Sequence, residues 1–212
     1  MFLATQYLQF VLGFAPVAAG VRVLPYAAAM IVFATASAPL VERFDTKRVA
    51  TAGMLLFAGG LAVMATISAG GGYGRLGLAF VLMGAGMGLA GAPATASIMA
   101  SLPPERANVG SAVNDTSREL GGALGVAVVG SLMTSLYADG LPAGAPEAAR
   151  DSLGAALGAG PVLADAARTA FVEALSGASL VVAAAVAVGA LVVWRHLPAG
   201  TQLEAVPSAA TS

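Results

Sequence analysis

Asn114, Asp115 and Arg118 stand at the head of an apolar, glycine-rich run and are well placed for polar chemistry. In the order Asn114-Asp115-Thr116-Ser117-Arg118-Glu119-Leu120-Gly121-Gly122, a helix brings the Asp115 carboxylate and the Arg118 guanidinium to one face. A charge at the centre of a bilayer costs about 2.5–3.5 kcal/mol on insertion scales. The pair is therefore expected either to anchor the helix end at the boundary or to line a wet cavity. The second arrangement makes a substrate- or proton-linked site.

A second group is Glu42, Arg43, Lys47 and Arg48, in Ala38-Pro39-Leu40-Val41-Glu42-Arg43-Phe44-Asp45-Thr46-Lys47-Arg48. As topogenic charge it fixes a short loop on the cytoplasmic side. As opposed charges at a tight turn it forms a latch between neighbouring helices. Exposed ion pairs are worth under ~1 kcal/mol each, which suits a gate that must reopen. Gln6 and Gln9 lie one helical turn apart in the first apolar segment. Such amides either bond across helices or face a cavity and bind a substrate.

Other chemistry is poorly supplied. Gly86-Met87-Gly88-Leu89-Ala90-Gly91 has the letters of a dinucleotide fingerprint, but it sits inside a long uncharged run instead of following a strand. With Gly84, these glycines have the spacing that lets membrane helices approach closely. Pro93, just beyond, is expected to kink this helix. There is no cysteine and one histidine, His196, so thiolate sites, disulfides and multi-histidine metal sites are excluded and no cofactor is expected. His196 and Glu204 do not make the clustered acid, base or nucleophile that a membrane enzyme requires. A net charge of −1 is no footprint for nucleic acid.

The elements that must position these residues are legible from where charge is missing. Uncharged runs cover Val23–Val41, Val49–Gly74, Leu76–Pro104, Leu120–Ala138 and Ala174–Trp194. Roughly 20 helical residues cross a ~30 Å hydrocarbon layer. Charged residues make up 10% of the chain, against about 25% in an ordinary soluble domain. The expectation is an all-α integral membrane bundle of about five full transmembrane helices plus a partial first one. The expected spans are 1–13 (partial), 21–41, 49–69, 76–102, 110–138 and 173–194, all within a bundle over 1–197.

Met1–Val21 lacks the basic region of a signal peptide and is interrupted at Gly13-Phe14-Ala15-Pro16. Met1 to Gly13 is too short to span, so the chain is expected to begin inside a transmembrane helix. Arg43, Lys47 and Arg48 assign their loop to the cytoplasm. Alternation then puts 70–75 outside, 103–118 inside and 139–172 outside. The external loop 139–172 is expected to be solvated and to hold short helices, with Pro161 as a first helical residue and Asp165 and Arg168 one turn apart. The tail, 198–212, is expected to be cytoplasmic and disordered.

The Glu42–Arg48 loop resembles the second copy of the major facilitator superfamily's cytoplasmic signature, G-x-x-x-D-R-x-G-x-R-R. Glu42, Arg43, Lys47 and Arg48 fill the acidic and basic places, with Ala38 and Asp45 where the pattern has glycine. Pro103-Pro104-Glu105-Arg106 through Asn114-Asp115-Thr116-Ser117-Arg118-Glu119-Leu120-Gly121-Gly122-Ala123-Leu124-Gly125 is similar to the penultimate-helix region of the fourteen-helix drug:proton antiporters (multidrug efflux). That family's Gly-Pro step there is replaced by Gly125-Val126. Tyr7-Leu8-Gln9-Phe10-Val11-Leu12-Gly13-Phe14-Ala15-Pro16 resembles the end of the family's helix nine.

The resemblance spans Thr5 to about Trp194 and implies the C-terminal helical bundle of a major facilitator transporter, from the end of helix nine through helix fourteen. It implies proton-coupled efflux of hydrophobic or cationic drug-like molecules by alternating access between two pseudo-symmetric halves. The implied partners are the lipid bilayer, such a substrate, protons and the missing N-terminal half, where much of the proton coupling would lie. The implied location is a bacterial-like plasma (inner) membrane, with a multi-pass chain and a cytoplasmic C-terminus. On this reading Asn114, Asp115 and Arg118 form a polar site at the cavity's cytoplasmic side. Glu42, Arg43, Lys47 and Arg48 form a gate, and Gln6 and Gln9 face the cavity. The rival is a non-transporting small membrane protein, either a truncated remnant or a helical partner subunit.

Overall fold

A computed structural model describes residues 1–100, 103 and 107–197. The expected tail at 198–212, and Pro104, Glu105 and Arg106 of the penultimate-helix motif, lie outside the described residues. Among the described residues, eight α-helices follow one another: α1 (Phe2–Gln6), α2 (Pro16–Phe44), α3 (Thr46–Met64), α4 (Tyr73–Ala100), α5 (Ala107–Asp139), α6 (Glu147–Asp151), α7 (Leu153–Gly158) and α8 (Pro161–His196). A π-helical turn, Tyr7–Val11, continues α1 until Gly13 adopts φ +71. Five of these helices (α2, α3, α4, α5 and α8) are long and apolar enough to cross a membrane, which makes this an all-α membrane bundle.

α4 lies at the centre because its glycines let two helices close on it from different sides. A Cβ on Gly88 would stand 2.5 Å from the Met30 carbonyl oxygen of α2, and one on Gly84 would collide with the Tyr26 carbonyl. Toward α3, a Cβ on Gly86 would lie 2.5 Å from the Gly53 carbonyl oxygen, and one on Gly53 would lie 2.7 Å from the Ala90 nitrogen. The dinucleotide-like letters are thus the close-packing faces of a membrane helix. α8 then packs on α3, and α5 packs on α8. Their close approaches fall at Gly189 against Met54, and at Gly177 and Gly140 against Leu136 and Ala170.

Two boundaries differ from the sequence reading. α2 starts at Pro16, a first helical residue, so Arg22 lies inside the helix. Its charge is accommodated there: Nη1 donates to the Ala18 carbonyl at 3.0 Å, and the guanidinium stacks 3.6 Å above the Phe14 ring. α8 starts at Pro161, as expected of a first helical residue, but the helix is not a short separate one: it continues into the expected span at 173–194 and runs 36 residues, about 54 Å. Ala164, Ala167, Ala170 and Phe171 recur at helical spacing and are buried, which extends the helix beyond the bilayer's need. Asp165 and Arg168 form an exposed ion pair at 2.9 Å on this extension.

The core lies toward the end that the charge pattern assigns to the outside. Tyr7, Leu8, Leu76 and Phe80 are fully buried there, together with Met133, Tyr137, Ala149, Leu153 and Phe171. Tyr7 Oη donates to the Ser68 carbonyl at 3.0 Å, and Tyr73 Oη donates to the Arg22 carbonyl at 2.8 Å. Arg168 Nε donates to the Phe10 carbonyl at 3.1 Å, a group inside the π-helical turn. The Tyr7 and Arg168 bonds tie the short first segment to the loop before α4 and to α8, and the Tyr73 bond ties α4 to α2.

Candidate functional site

Along α5, the glycines behave differently from those of α4. A Cβ on Gly121, Gly122, Gly125 or Gly130 would meet nothing within 4 Å. The space they leave open is a groove of about 770 Å³ between α1, α5 and the α6–α7 segment. Phe2, Phe10, Met133, Tyr137 and Phe171 give it an aromatic and apolar lining, and Gln6, Thr134, Arg150, Asp151 and Ser152 contribute the polar groups. A volume of several hundred Å³, largely apolar with a few placed polar groups, suits a drug-sized molecule.

The sequence-predicted residues divide between this groove and two other places. Gln6 lines the groove; Gln9, half-buried on the π-helical turn, is not part of its lining. Asn114 is buried on α5, and its Nδ2 donates to Asp115 Oδ1 at 3.4 Å. Asp115 and Arg118 are exposed and make no ion pair with each other. Arg118 precedes Gly121 by about 4.5 Å of helix rise, so the polar cluster and the groove wall are successive stretches of one helix. A shallower depression, lined by Asn108, Ala112, Thr116 and Ser117, lies beside the polar cluster.

Glu42, Arg43, Lys47 and Arg48 flank the turn between α2 and α3, where Asp45 is the whole linker. Asp45 has φ 81 and ψ 145, the one positive φ among the described non-glycine residues. Glycine adopts that region freely; a residue with a Cβ is strained there. Asp45 occupies a glycine place of the loop pattern, and the backbone keeps the glycine conformation. Among the described residues, Glu42, Arg43, Lys47 and Arg48 form no ion pair with one another. Arg43 lies 5.3 Å from the Phe44 ring centroid, and Lys47 Nζ lies 5.2 Å from that of Trp194. The Lys47 contact fastens the turn to the far end of α8 by cation–π attraction.

Sequence reasoning passed over the groove's outer wall. Tyr137 Oη, buried, donates to the Ala149 carbonyl at 3.0 Å. The Arg150 guanidinium donates to the carbonyls of Ala145, Ala143 and Pro142 at 3.3, 3.1 and 3.4 Å. Leu153 and Ala156 are buried. These bonds and contacts make an ordered cap of a segment that reads as solvated. The burial of Ala149, Leu153 and Ala156 is a faint amphipathic signal, too short to stand out among so many alanines.

Long apolar helices packed through glycine around a central helix, with an aromatic groove at one side, define a polytopic helical membrane protein. Residues 1–126 match the Major Facilitator Superfamily. The chain belongs to that family, whose members are transporters.

It is 39% identical over 142 residues to the tetracenomycin C resistance and export protein of Streptomyces glaucescens, covering 67% of this chain and 26% of that protein. The multidrug efflux pump LfrA of Mycolicibacterium smegmatis is 30% identical over 208 residues, 89% of this chain and 41% of LfrA. The methyl viologen resistance protein SmvA of Salmonella typhimurium is 34% identical over 184 residues, 80% of this chain and 37% of SmvA. The chain thus spans about a quarter to two-fifths of the length of these relatives.

Proposed function

We propose that the chain is the C-terminal bundle of a drug-efflux transporter and that the groove between α1 and α5 is its share of the substrate cavity. The observation that carries this reading is the groove itself: glycines open one wall, aromatic rings line it, and a few polar groups stand at its rim. The names of the similar proteins, which speak of drug export and resistance, support it. Substrates are hydrophobic or cationic drug-like molecules, exported in exchange for protons by alternating access across a bacterial plasma membrane. The transporter is completed by an N-terminal half, and the C-terminus is cytoplasmic.

Asn114, Asp115 and Arg118 form the polar, proton- or substrate-linked site on the cytoplasmic stretch of α5. Glu42, Arg43, Lys47 and Arg48 act as the gate around the Asp45 turn, and Gln6 contacts substrate in the groove; Gln9 is the weaker cavity candidate. Replacing Asp115 or Arg118 by Ala in the complete transporter lowers efflux of a fluorescent drug at unchanged membrane abundance. Unchanged export rules out the polar site. Dissipating the proton gradient with an uncoupler abolishes export; export that persists refutes proton coupling.

A further inference from the structure

We infer that Asp151 is a specificity-determining residue of the groove, selecting organic cations over anions of the same shape. The inference rests on the reading of the groove as a substrate site. In the sequence Asp151 belongs to a short charged stretch of an apparent loop; in the fold it ends α6 and lines the groove. Its place is fixed from both sides. Ala149 is buried and held by the Tyr137 hydroxyl, Leu153 is buried, and Ser152 between α6 and α7 is extended.

Two charged side chains, Arg150 and Asp151, are among the groove's lining, and they are not equivalent. The Arg150 guanidinium is engaged through Nε and Nη2 by three backbone carbonyls of the cap, which hold it against the turn and leave Nη1 as its one uncommitted nitrogen. The Asp151 carboxylate is exposed and makes no ion pair or hydrogen bond among the described residues. It lines the same groove as the rings of Phe2, Phe10, Tyr137 and Phe171. Ring faces attract cations, and a free carboxylate at the rim adds to that attraction. An aromatic box with one available negative group matches a bulky cation whose charge is spread over an apolar body.

The test compares tetraphenylphosphonium with tetraphenylborate, ions of nearly one shape and opposite sign, binding to the purified chain in lipid nanodiscs with empty discs subtracted. The native chain binds the phosphonium more tightly. Asp151→Asn weakens the phosphonium about fivefold, the effect of losing a partly exposed ion pair, and leaves the borate unchanged or tighter. Asp151→Glu retains the preference, and Gly125→Leu, which fills the groove, removes binding of both.

If Asp151→Asn leaves phosphonium affinity unchanged while Gly125→Leu abolishes it, the carboxylate is not the selector and the groove reading stands. An equal loss of both ions in Asp151→Asn also overturns the inference, since it marks a structural role. If the native chain binds neither ion, or Gly125→Leu changes nothing, the groove reading falls and this inference with it.

Discussion

Asp45 alone joins two membrane helices, and its backbone carries a conformation that its Cβ disfavours. Removing the Cβ relieves that strain; keeping the Cβ while deleting the carboxylate does not. Asp45→Gly is therefore more stable than Asp45→Ala by about 1 kcal/mol in thermal unfolding, and an alanine variant equal to the glycine variant contradicts the strain. The position was readable as a glycine place in a loop pattern, whereas its φ was not. Arg22 shows the same limit. Its charge looks like a helix boundary, yet the Phe14 ring and the Ala18 carbonyl hold it inside α2. That pairing exists only once the chain has turned at Gly13.

At the scale of elements, the runs without charge place all five spanning helices, because the bilayer's thickness is a physical ruler for them. Glycine spacing in α4 reads correctly as close packing, but which helix each glycine faces depends on tertiary arrangement. Two leucine substitutions separate these roles. Gly86→Leu drives a side chain into the α3 backbone and destabilises the bundle by about 1–3 kcal/mol or more, seen as lost monodisperse protein or a lowered unfolding midpoint. Gly121→Leu, on the open face, leaves the stability within about 0.5 kcal/mol of the native value. Equal effects at the two sites refute the distinction between a filled and an open glycine face.

Short helices were expected at 139–160, but their packing into a cap escaped the sequence reading, because helices of five and six residues are not stable by themselves and carry too little pattern to show what they pack on. Tertiary bonds make them, so Tyr137→Phe, which deletes the bond to Ala149, raises amide hydrogen exchange at 147–151 and costs about 1 kcal/mol. Exchange indistinguishable from the native protein removes this account of the cap.

For the whole molecule, burial is uneven in a way that bears on function. α2 and α3 each close on α4, while α5 exposes most of its length, as α2 does, and rests chiefly on α8. That leaves one side of the bundle open, lined by the α5 glycines and the α1 aromatics. Family membership was legible from the turn at Glu42–Arg48 and the motif leading into α5, which are local in sequence. The groove was not, because it joins α1 to α5 and to the cap across most of the chain.

The absence of native cysteine allows a direct test of the groove. A single cysteine at Gly125, in membranes containing the transporter, is labelled by a maleimide with and without an excess of a cationic drug, alongside a cysteine at Val188 of α8, which is exposed and not part of the groove's lining. The account predicts that the drug slows labelling at Gly125→Cys and leaves Val188→Cys unchanged. Equal labelling rates at Gly125→Cys with and without drug contradict it.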